Sequence, residues 1–356
     1  MAPRPDSPPC LTLWDLGLTR QEARRHYVGG IIALVVGILM VAPLAFMVMM
    51  GVAFLADALG GPSARQVVEG LAIFPVVGSA IIPMAVVVRA VHGRTAASLV
   101  NATGRVSWAL LARGAGLWAG VLLPLVALGF ASGEMSLSPD WPRVLLVASI
   151  GLPLVLAQVT AEEMLCRGYL AQACARLTGS PVTTVLVTTL VFTALHEGNQ
   201  ASDPWGLRVQ IAAMGLFLAL VTWKAGRLEP AVGIHLAQNM LAVFVLGAGG
   251  EAIPNLAGRS ELAVLPDDPA AILGNLAAFC LPAGSSCTWA SGRVGWAWKK
   301  GGRIARPPCV RSLRPTGAGQ ACTGSRTWTG AAGLPRREHR PTQEYSRPAI
   351  SAASGS

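Results

Sequence analysis

Val28–Ala56 reads VGGIIALVVGILMVAPLAFMVMMGVAFLA, twenty-nine residues without a charged side chain. About 20 consecutive apolar residues suffice to carry a helix across a bilayer, so this stretch alone predicts a membrane protein. It is too long for a secretory signal, and no small-residue cleavage site follows it. Outward from it the pattern repeats: apolar runs at roughly 67–91, 109–131, 143–165, 181–197, 207–223, 230–248 and 270–283, separated by short polar segments. The run 181–197 is near the lower length limit and 270–283 is too short to span by itself. The expected fold is all-α, a polytopic transmembrane helical bundle of about eight spans.

Composition agrees. The chain is 53% hydrophobic and 13% charged, against about 25% charged in a soluble domain. Its net charge of +10 is local: residues 1–283 hold 16 basic and 16 acidic residues, whereas 284–356 hold 12 basic and 2 acidic. That last segment is rich in Gly, Arg, Pro, Ser and Thr without apolar periodicity, and such a composition predicts disorder. The expected organisation is a cytoplasmic N-terminal segment 1–27, a transmembrane domain 28–283 with its motifs within 140–250, and a basic tail 284–356. Nothing in the sequence points to nucleic acid; the expected partners are membrane lipids and a peptide or protein, and a polybasic tail can also lie on anionic lipid.

Arg and Lys orient the loops. With the N-terminus inside, the inner segments and tail hold 24 basic residues and the outer segments only Arg65, Arg143, Arg208 and Arg259. An even number of spans with both termini in the cytoplasm fits, in the plasma (inner) membrane. The seven cysteines, Cys10, Cys166, Cys174, Cys280, Cys287, Cys309 and Cys322, form no CxxC pair and no disulfide framework. No internal repeat or paired broken helix is visible, which argues against a transporter.

Ionisable residues inside a membrane are functional candidates by default, and here they gather in three places. Glu162-Glu163-Met164-Leu165-Cys166-Arg167 follows an apolar run with no helix breaker. Glu163 and Arg167 have the i, i+4 order that favours an ion pair, which leaves Glu162, about 100° round the helix, to face the interior. Phe192-Thr193-Ala194-Leu195-His196 closes the fifth run. Glu197 follows, but position 200 is Gln200, so the HExxH zinc signature is absent. His235-Leu236-Ala237-Gln238-Asn239 lies in the seventh run, with His235 and Asn239 one turn apart on a shared face. Each group alone also has a bland reading: a boundary salt bridge, an interfacial histidine, an interhelical hydrogen bond. Together they place a carboxylate, two imidazoles and an amide in apolar surroundings. Hydrolysis needs such a set: a base for water and donors for the developing oxyanion.

Thr178-Gly179-Ser180-Pro181 is a strong turn signal. Glu162 lies 17 residues before Gly179 and His196 lies 17 after it, so an antiparallel hairpin brings both to one level, about 25 Å from the turn. His235 is seven residues past Leu228, only about 10 Å along its helix, so straight spans starting in one plane would not meet.

At these residues the chain resembles the CPBP family, which comprises CAAX prenyl proteases of the second type and bacteriocin-processing or self-immunity proteins (Abi-like). The family pattern EExxxR, FxxxH, HxxxN/D corresponds to EEMLCR at 162–167, FTALH at 192–196 and HLAQN at 235–239. The resemblance implies an intramembrane endopeptidase acting on membrane-associated substrates, of which lipidated CAAX-type and bacteriocin-like peptides are the two kinds the family suggests. By match to the motif, Glu162 would activate water, Glu163 and Arg167 would support it, His196 would orient the water, and His235 with Asn239 would stabilise the oxyanion. The family has also been described as metalloproteases; zinc would then be held by Glu162, His196 and His235. The sequence offers no additional ligand, and the metal-free version is preferred. A non-catalytic immunity or scaffold relative is the alternative.

Overall fold

A computed structural model of the chain describes residues 12–18, 23–196, 205–248 and 252–257. By internal contacts the chain divides into two units, Met1–Val310 and Arg311–Ser356, and all described residues belong to the first. The run 270–283 and the tail 284–356 lie outside the described residues.

Among the described residues ten α-helices follow one another: α1 (Arg24–Gly60), α2 (Pro62–Leu71), α3 (Ile73–Gly78), α4 (Ile81–His92), α5 (Trp108–Ser132), α6 (Trp141–Glu163), α7 (Ala171–Thr178), α8 (Pro181–Ala194), α9 (Trp205–Ala225) and α10 (Glu229–Phe244). A π-helical stretch, Met164–Leu170, joins α6 to α7. Among the described residues there is no strand; an antiparallel bridge joins Asn101 to Arg227. Among the described residues five stretches are long and apolar enough to cross a membrane: Arg24–Gly60, Pro62–His92, Trp108–Ser132, Trp141–Thr178 and Gly206–Ala225.

The apolar runs of the sequence map onto these helices with two physical differences. The run 67–91 is not one straight span. Pro75 and Pro83 cannot donate to the carbonyls four residues earlier, Leu71 and Ser79. The helix breaks at those two places, ending α2 at Leu71 and separating α3 from α4 around Ser79. The fifth and seventh runs give short helices, α8 of 14 residues and α10 of 16. About 1.5 Å of rise per residue makes each shorter than a bilayer's hydrocarbon core of about 30 Å.

Exposure separates lipid-facing from interior helices. α1 turns Ile32, Leu39, Met40, Met47 and Phe54 outward, each more than half exposed. A contiguous apolar surface of that size has no place in water; lipid is the solvent that suits it. α10 is the opposite. Ala231, Val232, Gly233, Ile234, His235 and Leu236 are all buried, because α10 is packed between α5, α6 and α9. Without a hydrophobic drive between helices in lipid, such close packing relies on small residues. Gly114 of α5 lies against Pro230, and a Cβ on Gly233 would overlap the carbonyl oxygen of Leu111. Gly233→Ala is therefore expected to cost about 1–3 kcal/mol through overpacking, read as a lowered thermal midpoint in detergent. An unchanged midpoint would show that the α5–α10 crossing yields freely.

Two segments outside the long helices set the height of α10. Leu228 is fully buried, and its N–H donates to Val100 O at 2.8 Å. The buried Glu229 carboxylate accepts from Asn101 Nδ2 at 2.7 Å and from Ser107 N at 3.1 Å, and it pairs with Arg227. Residues 12–18, part of the expected N-terminal segment, close the same end: Leu13 N donates to Gly226 O at 2.9 Å, and Trp14 Nε1 donates to Arg167 O at 3.0 Å. Leu228 and Glu229 of the α9–α10 turn are thus buried and anchored, although Lys224 and Ala225 before them are exposed. At the α7–α8 turn Gly179, at φ +67°, ends α7, and Ser180 caps α8 by accepting from Thr183 N; Gly179 is exposed and Ser180 half-buried.

Candidate active site

The unequal heights of the turns bring the three sequence groups together. His235 starts close to its turn, but Leu228 and Glu229 at that turn are buried and tied to Val100 and Asn101, and its ring reaches the two glutamates of α6. His235 Nδ1 is 3.1 Å from Glu163 Oε1, and His235 Nε2 is 3.6 Å from Glu162 Oε2. The level mismatch expected for straight spans is absent because the spans do not begin in one plane.

The two adjacent carboxylates have separate tasks. Glu163 is fully buried and pairs with the equally buried Arg167, Nη1 to Oε1 at 2.8 Å. Arg167 is held from two further sides: Nη2 donates to Gly215 O at 2.8 Å, and the guanidinium lies 4.2 Å from the Phe192 ring centroid. A buried charge is tolerable only with such company. Gly215 has no side chain because a Cβ there would sit 3.0 Å from the Phe192 ring and 3.6 Å from Arg167 Nη2. The i, i+4 pair forms although the backbone after Glu163 is π-helical rather than α-helical. Such stretches are frequent at functional sites.

Glu162 is different. Its side chain keeps 14% exposure. Oε1 accepts from Gln158 Nε2 at 2.7 Å. Oε2 is buried and, like Glu163 Oε2, accepts no hydrogen bond from any described residue, but it belongs to the carboxylate that is part exposed. A buried carboxylate oxygen without a donor calls for a partner from outside the protein, and water or a substrate group can supply it.

The histidines are oriented by what their Nδ1 atoms meet. His196 Nδ1 lies 2.7 Å from Phe192 O. A carbonyl only accepts, so Nδ1 carries the hydrogen and a neutral ring offers its Nε2 lone pair. His235 Nδ1 faces a carboxylate that already accepts from Arg167, and the same reasoning turns its Nε2 into an acceptor when the ring is neutral. Phe192, 2% exposed, is the hub between them, with its ring 4.5 Å from His196 and 5.7 Å from His235 between centroids. Asn239 Nδ2 donates to Gln158 Oε1 at 3.1 Å, which leaves one amide N–H for another acceptor.

Histidines that hold a metal donate their other N–H to a carboxylate or carbonyl, and both rings here do so. A metal also needs ligands that converge. Among the described residues no three His, Cys, Asp or Glu side chains are gathered in that way.

The structure thus joins Glu162, Glu163, Arg167 and His235 by direct contacts, and links Asn239 to them through Gln158 and His196 through Phe192. Sequence reading missed Gln158 and the hub role of Phe192. Gln158 had a signal: it is the one amide inside the apolar run 144–159, four residues before Glu162. Trp14 and Gly215 had none, since their importance comes from tertiary neighbours.

Residues 139–241 match the family model described as type II CAAX prenyl endopeptidase Rce1-like. A curated relative, "Uncharacterized protein YyaK" of Bacillus subtilis (strain 168), is 32% identical over 106 residues, covering 29% of this chain and 36% of that protein. The chain thus matches about a third of the relative's length. No solved structure matches significantly.

Proposed function

We propose that this chain, whose residues 139–241 belong to the CPBP family of type II CAAX prenyl endopeptidase-like proteins, hydrolyses peptide bonds of membrane-associated substrates with water activated by Glu162. The observation that carries the reading is the buried Glu162 Oε2, unmatched by any described donor and adjacent to His235. Glu162 takes the proton of the attacking water. His196, with its Nε2 lone pair, orients that water. Asn239 donates its second amide N–H to the oxyanion. His235 could donate there only as a doubly protonated ring, because its Nδ1–H is turned to Glu163; the amide carries no such condition. Glu163 and Arg167 fix His235 from behind.

The chain is an integral membrane protein by its apolar helices and family. We place both ends in the cytoplasm of the inner membrane, supported by the 24-to-4 excess of inner basic residues. The substrate is a peptide delivered in or along the membrane, and lipidation at its end would help deliver it.

The test is hydrolysis by detergent-purified protein of peptides ending in CAAX sequences, with and without a prenyl group, read by mass spectrometry. Cleavage of neither peptide, nor of any protein in a comparison of wild-type and Glu162→Ala membrane proteomes, would favour a non-catalytic relative. The metal question has its own readout. Metal-free hydrolysis predicts near-zero zinc by elemental analysis in active protein, and no specific effect of the chelator phenanthroline. One zinc per chain, with activity lost on stripping and restored by stoichiometric zinc, would overturn it.

A further inference from the structure

We propose that Gln158 is a positioning residue for this hydrolysis, a single amide that fixes both the base and the oxyanion donor; the inference rests on the role assigned to Glu162 above. Gln158 is 7% exposed in the C-terminal part of α6. A buried amide is costly unless its donor and acceptor are both matched, and here both are. Nε2 donates to Glu162 Oε1 at 2.7 Å, and Oε1 accepts from Asn239 Nδ2 at 3.1 Å.

Chemistry fixes the direction of this chain of bonds. An ionised carboxylate only accepts, so the NH2 end of Gln158 must face Glu162. Its oxygen must then face α10, where only a donor fits, and Asn239 supplies one. Two consequences follow at the reacting atoms. Oε1 of Glu162 is occupied, so the proton of the attacking water goes to Oε2. The water O–H bond breaks, the oxygen bonds to the substrate carbonyl carbon, and the carbonyl electron pair moves to its oxygen. Asn239 has one N–H committed to Gln158, so its other N–H has a fixed direction in which to meet that oxyanion. The proton on Oε2 is then passed to the departing amine nitrogen as the C–N bond breaks.

Among side chains of this size only glutamine and a neutral histidine both donate to a carboxylate and accept from an amide. Leu does neither, and Glu can do the first only when protonated. The charged and titratable groups around Glu162 are Glu163, Cys166 and Arg167 beyond it on the same helical run and His235 on α10.

The test is kinetic, on full-length protein in detergent. Gln158→Leu is expected to lower kcat by about 10- to 100-fold, the scale of a small misplacement of reacting groups, with KM within about threefold and an unchanged melt. Gln158→Glu keeps the volume but sets a second carboxylate against Glu162. Like charges resist joint ionisation, so the acid limb of its kcat–pH profile is expected to move to higher pH, a change a purely structural residue would not cause. In an Asn239→Ala background, Gln158→Leu should cost less than in wild type, because both act through one network. If Gln158→Leu does not fold, Gln158→Glu decides. A wild-type kcat and pH profile in a folded variant would overturn the inference, and so would loss of folding in Gln158→Glu. Glu162→Gln run in parallel separates the two levels. An inactive Glu162→Gln beside a fully active Gln158→Leu removes only this inference, whereas an active Glu162→Gln removes the underlying reading.

Discussion

Glu162→Gln is expected to lower peptide hydrolysis by about 10²–10⁴-fold, the usual contribution of a general base, with the fold kept. Glutamine is nearly isosteric, and its oxygen can still accept from Gln158, so the contact on Oε1 survives the change. What disappears is the ability of the other position to take a proton from water. The buried pair beside it, Glu163 with Arg167, is not touched, so the detergent melt should match wild type. Residual activity above about a tenth of wild type would remove Glu162 from the role of base.

Glu163→Ala is expected to act mainly on stability, with a loss of about 3–5 kcal/mol. Glu163 Oε1 serves two partners, Arg167 Nη1 at 2.8 Å and His235 Nδ1 at 3.1 Å. Removing it leaves a fully buried guanidinium with only the Gly215 carbonyl and the face of Phe192, and an unpaired buried charge is the costly product of such a cut. The melting midpoint should fall by something on the order of 10 °C. Glu163→Gln should lose less, because an amide oxygen can still accept from Arg167. Activity would fall as well, since His235 loses the group that fixes which of its nitrogens carries the hydrogen. A melt of Glu163→Ala equal to wild type would contradict the pair.

Much of this was legible in the sequence because a bilayer imposes a coarse code. Apolar runs mark helices whatever their neighbours, and the Glu163–Arg167 spacing marks a pair that forms in the structure. The breaks at Leu71 and Ser79 were also encoded, in Pro75 and Pro83, although hydropathy alone smooths over them. Heights were not legible. Whether His235 meets Glu162 depends on Leu228 being drawn in by Val100 and on Glu229 being held by Asn101, contacts more than a hundred residues apart in sequence. Likewise, nothing local announces that Trp14 caps the Arg167 carbonyl or that Gly215 is bare so that Arg167 and Phe192 can stack.

The anchoring of Leu228 and Glu229 at the start of α10 makes a loop act as a depth gauge. The vertical coordinate of His235 is fixed by how far residues 96–107 reach into the bundle to hold Leu228 and Glu229. The lengths of α9 and α10 do not set it. A relative with the same helices but a shorter reach there would carry its imidazole nearer the membrane surface. One helical turn of difference is about 5.4 Å, comparable to the length of one or two extended residues. Along a passenger peptide that enters from the side, that is the distance between neighbouring scissile bonds, so the choice of bond would be written in a connecting segment far from every residue that performs the cut.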